Sequence, residues 1–147
     1  MAQPTAHPWT VLIVDDSESV RQLLRLYLEA EGYVVEEAVD GLKAFARLSH
    51  RASRYLVLLD YAMPQLDGWG VLRLAAADPR LLVQHAYIVM SAQAALPVAF
   101  EQFLTSHTIP SAVKPIARRD LLALLTEAEA RLGQLAATPV VQFPKPS

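Results

Sequence analysis

The sequence predicts an α/β fold: a single domain with a five-stranded parallel sheet covered by helices on both faces. Three observations lead there. Two short, continuously apolar runs, Trp9 to Val14 and Tyr55 to Leu59, read as strands buried on both faces, the mark of a parallel sheet. Strand-like runs alternate with helical patterns five times along the chain. Polar residues close four of the runs: Asp15 with Asp16, Asp60, Ser91 and Lys114. In open α/β sheets, the carboxyl ends of the strands form the edge where ligands bind.

Residues 1–8, with Pro4 and Pro8, read as an N-terminal tail, and the folded domain spans 9–137. Trp9-Thr10-Val11-Leu12-Ile13-Val14 is the first strand. Asp16 or Ser17 caps the first helix. There Val20, Leu23, Leu24, Tyr27 and Leu28 recur at helical spacing, with Arg21, Gln22, Arg25 and Glu29 off that face. Gly32 stops the helix. Tyr33 to Ala38 is the second strand. Asp40-Gly41 turns the chain into a second helix marked by Leu42, Phe45, Ala46 and Leu48. Tyr55 to Asp60 is the central strand. Met63-Pro64 and Asp67-Gly68 supply loop and turn chemistry after it.

The third helix runs to about Ala77 and ends at Asp78-Pro79. Tyr87 to Met90 is the fourth strand, closing at Ser91. Pro97 suits the first turn of a fourth helix over about Leu96 to Thr105. Ser111 to Val113 is a brief fifth strand leading to Lys114-Pro115. A fifth helix starts near Arg118, with Leu121, Leu122, Leu125, Ala128, Leu132 and Leu135 on its apolar face. The Pro-rich stretch 138–147 reads as a C-terminal tail, too short for an output module.

A length of 147 residues suits one domain with a real core. Apolar content of 53% against 19% charged fits a globular chain. The absence of Cys excludes a disulfide framework and a thiolate zinc site, and fits a reducing, cytoplasmic compartment. A net charge of -2 without a basic block leaves no nucleic-acid footprint. The N-terminus lacks the pattern of a signal peptide. Leu81 to Phe100 runs for 20 residues without Asp, Glu, Lys or Arg. Gln84, His85, Ser91, Gln93 and Pro97 interrupt it, so it reads as strand, loop and helix rather than a membrane span. His7, His50, His85 and His107 show no metal-ligand spacing. Trp9, Tyr27, Phe45 and Trp69 read as packing aromatics.

The polar strand ends carry the chemistry. Neighbouring strands lie about 4.8 Å apart, so residues at adjacent ends can converge. Three carboxylates together repel one another, and a hard cation relieves the repulsion. Mg²⁺ suits one or two carboxylates and keeps waters for a phosphate. An ammonium and a hydroxyl nearby complement an anion. Together these parts describe an aspartyl-phosphate site. Singly, each has a plainer reading: Asp15-Asp16 as a helix cap, Asp60 as a turn residue, Ser91 as a loop residue, Lys114 as a surface charge.

In this order the parts carry a strong signal: Asp15-Asp16, then Asp60 with Met63-Pro64 and Asp67-Gly68, then Ser91-Ala92, then Lys114-Pro115. Over about Val11 to Leu135 the sequence resembles the receiver domain of two-component response regulators, in its stand-alone, chemotaxis-regulator-like form. The resemblance implies a flavodoxin-like, doubly wound domain with strand order 2-1-3-4-5 and five helices. It implies that Asp60 accepts a phosphoryl group from a sensor histidine kinase or a His phosphotransfer protein. Asp16, Asp60 and the backbone carbonyl of Ala62 would bind Mg²⁺, and Asp15 would act through metal-bound water. Lys114 would pair with a phosphoryl oxygen. Ser91 would hydrogen-bond the phosphoryl group and draw its loop inward. The chain would then be a phosphoprotein signalling through a downstream protein on the face of the fourth helix, fifth strand and fifth helix. Homodimerisation, no direct nucleic-acid contact and no membrane contact complete this expectation. No turnover beyond self-phosphorylation and self-dephosphorylation is expected.

The sequence departs from the family at Ser111, where an aromatic switch residue is usual. Ser111 and Ser91 are thus the switch positions here. Ala62, two residues after Asp60, neither blocks nor orients water, which implies self-dephosphorylation in the family's ordinary range. Two alternatives stand beside this reading. One is a receiver-like scaffold that takes little or no phosphate. The other is a Mg²⁺-dependent phosphatase with an aspartyl nucleophile, for which Ala62 fills the place of the usual acid.

Overall fold

The computed structural model describes residues 8–50 and 52–137. Apart from Pro8, the tails expected at 1–8 and 138–147 lie outside the described residues, as does the side chain of Leu135. Strands β1 (Thr10–Val14), β2 (Val34–Ala38), β3 (Tyr55–Asp60), β4 (Ala86–Ser91) and β5 (Ser111–Val113) form one sheet. Every pairing is parallel, in the order β2-β1-β3-β4-β5 that the resemblance implies. The helices are α1 (Glu18–Ala30), α2 (Gly41–Leu48), α3 (Gly68–Ala77), α4 (Pro79–Gln84), α5 (Val98–Ser106) and α6 (Arg118–Ala137).

Among the described residues, six helices stand where the sequence reading expects five. Asp78 does end α3, with extended backbone at φ -124° and ψ 90°. Pro79 then opens a second, short helix, at a position where its missing N–H leaves no bond unmade. The fourth and fifth helices of the sequence reading are therefore α5 and α6.

Alternation along the buried strands builds two cores. Leu12, Val14, Val57, Leu59 and Val89 face one side, with Val71 and Leu72 of α3 and Phe100 of α5. Val11, Ile13, Leu56, Leu58 and Ile88 face the other, with Leu24 and Leu28 of α1 and Leu121 and Leu125 of α6. Every residue of β3 and β4 is buried. Burying one such aliphatic side chain contributes about 1.5–3 kcal/mol before chain entropy is counted. The central strands are thus firmly packed, and β3 ends in Asp60.

On α2 the buried face differs from the expected one. Gly41, Ala44 and Leu48 are buried, while Leu42 is 54% exposed. Crowding explains this. A Cβ on Gly41 would stand 2.2 Å from the Leu66 carbonyl oxygen. The loop after β3 runs so close that α2 meets it through its smallest residues.

Two polar details lock the periphery. His85, buried between α4 and β4, accepts the Tyr55 N–H at Nδ1 (3.0 Å), and its Nε2 lies 2.8 Å from the Leu48 carbonyl. That arrangement requires the neutral imidazole with its hydrogen on Nε2. The C-terminus of α5 closes with Thr108 at φ 55°, and the Ile109 N–H reaches back to the Leu104 carbonyl at 2.8 Å.

Two outcomes follow. Thr108 is exposed and β-branched in the left-handed region, so Thr108→Gly should raise stability by about 1 kcal/mol in urea unfolding. Burial, with a smaller push from the Arg54 charge, holds His85 below its ordinary value despite the Leu48 carbonyl. In the unfolded chain His85 protonates near pH 6.5, while in the native state it resists protonation to lower pH. Stability should therefore fall as pH drops below about 6.5. The slope of unfolding free energy between pH 7 and pH 5 should be shallower in His85→Gln.

Candidate functional site

Register brings the strand-end residues to one rim. Val14 pairs with Leu59 across β1 and β3, so Asp15 stands level with Asp60. Asp60 pairs with Met90 on β4, and Ser91 follows. Ser91 pairs with Val113 on β5, and Lys114 follows, its N–H donating to the Ser91 carbonyl at 2.7 Å.

The Lys114 ammonium bridges the two buried acids. Its Nζ lies 2.5 Å from Asp15 Oδ2 and 3.0 Å from Asp60 Oδ1. Asp15 is fully buried, Asp60 is 4% exposed, and Asp16 is exposed. One carboxylate oxygen from each of the three acids falls within 4.8 Å of the others. Three carboxylates and one ammonium leave a formal charge of minus two. Unit charges 4 Å apart interact by about 4 kcal/mol at an effective dielectric near 20, so this imbalance is a strong field. Burial raises Asp60 above the usual carboxylate range. Its hydrogen bond to Lys114 works against this, and the charges of Asp15 and Asp16 add to it. Burial alone would lower Lys114, but hydrogen bonds to Asp15 and Asp60 outweigh it and hold the ammonium above its ordinary value. Hard oxygen donors carrying two excess negative charges suit a divalent cation such as Mg²⁺.

The loops at the rim are tied by hydrogen bonds and by close backbone packing. The Ser17 N–H donates to Asp15 Oδ1 at 2.9 Å, and Ser17 Oγ caps α1 at the Val20 N–H. Of the two cap candidates, Ser17 takes the role, which leaves Asp16 exposed at the rim. Asp67 caps α3 through the Gly70 N–H at 2.7 Å. A Cβ on Gly68 would lie 2.6 Å from the Asp60 carbonyl oxygen, so only glycine lets α3 start this close. Ser91 Oγ accepts the Gln93 N–H at 2.9 Å. Ala62 is exposed in the loop after Asp60. Ser111 is exposed on β5, and Lys114-Pro115 is a cis peptide.

Sequence reasoning places Arg21 only off the apolar face of α1. Its Nη1 donates to the Asp15 carbonyl at 2.7 Å, while its Nε pairs with Glu37 Oε1 at 2.9 Å. The guanidinium thereby clamps the loop that carries both N-terminal acids. The signal was present as an Arg on the first turns of a capped helix and an acid near the end of the next strand.

The model of the response regulator receiver domain family matches residues 11–126. The chain belongs to that family. Over 63 residues the receiver domain is 46% identical to the transcriptional regulatory protein ResD of Bacillus subtilis, covering 43% of this chain and 26% of ResD. The chain thus spans about a quarter of the length of that relative. A CheY-like response regulator receiver domain protein from Methanospirillum hungatei is similar in structure, with a TM-score of 0.70 and 28% identity. That likeness covers 88% of this chain and 98% of the other. The chemotaxis protein CheY4 of Vibrio cholerae is 25% identical with a TM-score of 0.68, over 82% of this chain and 98% of that one.

The field at the rim has a measurable cost. Because Asp60 is raised, the unfolded chain ionises first as pH rises through the ordinary carboxylate range, and the native receiver domain loses stability there. Asp60→Asn removes that loss while Lys114 keeps Asp15. In metal-free buffer at pH 7 the variant should unfold at higher urea than the parent, and the gap should close towards pH 3.

Proposed function

We propose that this receiver domain, residues 9–137, is a cytoplasmic phosphoacceptor module that takes a phosphoryl group on Asp60 and changes partner binding in response. The donor is the phosphohistidine of a sensor histidine kinase or a His phosphotransfer protein. The observation that supports this best is Lys114 bridging Asp15 and Asp60, with Asp16 within reach of both.

An Asp60 oxygen attacks phosphorus, and the O–P bond forms as the N–P bond of the donor breaks. The imidazole leaves with the bonding pair and takes up a proton from water. Asp16, Asp60 and the Ala62 carbonyl, with Asp15 through a water, would hold Mg²⁺. When bound, the ion neutralises charge on the phosphoryl oxygens. Lys114 is already at Asp60 and pairs with a phosphoryl oxygen there. Ser91 Oγ spends an acceptor site on Gln93, so its own hydrogen is left to donate to the phosphoryl group.

Beside Lys114 an apolar groove opens, lined by Val20, Leu23, Leu24, Pro115 and Ile116. Leu23 is 45% exposed there. Lys114 also lines this groove, which supports its use as the docking site for the helix bearing the donor histidine. Output goes through a downstream protein, or a second copy, on the face of α5, β5 and α6. Val98 and Val113 on that face are 70% and 51% exposed. Ala62 offers no acid for the second half of a phosphatase cycle, which supports switching over turnover and a phosphoryl lifetime in the family's ordinary range.

Incubation with Mg²⁺ and acetyl phosphate, followed by intact mass measurement, tests the reading. One phosphoryl adduct is expected, lost on chelation and in Asp60→Asn. Repeated turnover of a phosphomonoester would move the reading to a phosphatase. No adduct in the presence of bound Mg²⁺ would leave only a scaffold.

A further inference from the structure

Tyr61 follows Asp60 directly, and its backbone is fixed on both sides. Its N–H donates to the Met90 carbonyl at 2.8 Å, and its carbonyl accepts the Gly68 N–H at 2.9 Å. Its ring stacks on Phe100 of α5, with centroids 5.3 Å apart and planes at 28°. Phe100 is fully buried and also meets Trp69, in the first turn of α3, at 5.2 Å. The Arg73 guanidinium lies over the Trp69 ring, 4.0 Å from its centroid. One ring of α5 therefore touches both the residue bonded to Asp60 and the helix that starts from the Asp60 loop.

At the start of α5, Glu101 in its first turn accepts the Leu96 N–H at 3.4 Å. Pro97 occupies its N-cap and makes no side-chain cap bond. The segment leading to it is fastened at Ser91 Oγ through the Gln93 N–H. Ser111, at the family's aromatic switch position, is exposed and has no ring to swing inward.

We propose that the Tyr61–Phe100–Trp69 stack couples the state of Asp60 to the position of α5, in place of an aromatic on β5. The proposal rests on phosphorylation at Asp60. A phosphoryl group that accepts from the Ser91 hydroxyl draws Oγ towards Asp60, and the Gln93 N–H fastened to that oxygen carries the shift into the segment before α5. Phe100, wedged between two rings anchored at the site, converts that local shift into a movement of the whole helix. Tyr61 and Phe100 are positioning residues. Neither is part of the phosphoryl-binding set.

The full chain carries two Trp residues, and Trp9→Phe leaves Trp69 as the sole indole. In that background, acetyl phosphate with Mg²⁺ transfers its phosphoryl group to Asp60 and releases acetate. Intact mass, Trp69 emission and hydrogen exchange in Val98–Ser106 are read together. The adduct should appear with a change in Trp69 emission and at least a twofold change in α5 exchange. Tyr61→Leu and Phe100→Leu should take the same adduct, yet lose more than half of the α5 response, and Tyr61→Phe should retain it. Tyr61 is only partly buried, so its variants keep the test open if Phe100→Leu folds poorly. An adduct with unchanged Trp69 emission, or an undiminished α5 response in Tyr61→Leu, overturns the coupling and leaves Asp60 phosphorylation standing. A parent chain that takes no adduct overturns both.

Discussion

The contact on which the rest depends is the Lys114 ammonium between Asp15 and Asp60. It is the counter-charge that lets two carboxylates sit under the rim of a closely packed sheet. Removing the shared partner, Lys114, would leave both buried acids uncompensated, a kind of loss that costs about 3–5 kcal/mol. Two attractions at 2.5 and 3.0 Å outweigh the repulsion between Asp15 and Asp60. They do not cancel Asp16 as well, and Asp16 is the acid left facing solvent. The stable remainder is a pocket with excess negative charge and one open side. That is an unfavourable state for the apo chain and a favourable one for a divalent cation.

Such a pocket holds only if its walls cannot relax. The strands provide this, because β3 and β4 are buried along their whole length and their register fixes Asp60 against Met90. The loops are tied by separate means. Arg21 reaches from α1 to the Asp15 carbonyl and is itself held by Glu37 on β2. Gly68 brings α3 against the Asp60 carbonyl, and Gly41 brings α2 against Leu66 in the same loop. Small residues and a guanidinium here do the work that a hydrophobic core does deeper in the sheet.

Much of this was legible in the sequence. Apolar runs without polar interruption identify buried strands, and a carboxylate or Lys closing such a run is placed by the strand itself. Asp15, Asp60, Ser91 and Lys114 were therefore readable one by one. Their approach to one another depended on strand order, which the resemblance supplied and periodicity could not. What escaped has physical reasons. The short α4 hid behind Asp78-Pro79, because Pro ends one helix and opens the next by the same missing N–H. The buried face of α2 was misassigned because Leu42 obeys helical spacing, whereas the close approach of Leu66 dictates which residues go inside. Arg21 is placed only off the apolar face of the first helix because nothing local in the sequence points an Arg back to a carbonyl six residues earlier.

The surfaces around the pocket are unequal, and that inequality bears on how a signal would pass through it. On the α1 side the rim opens into the apolar groove beside Lys114. On the α5 side the rim is closed by rings: Tyr61 on Phe100, Phe100 on Trp69. A groove of exposed aliphatics can accept a partner without moving the sheet. A buried aromatic stack cannot move without moving the helix that carries Phe100. Loading from the first side and reading from the second would let donor and target use the same Asp60 without competing for surface. In a chain with Ser111 where a larger ring would otherwise report on the site, that reporting would fall to side chains already in contact with the residue next to Asp60.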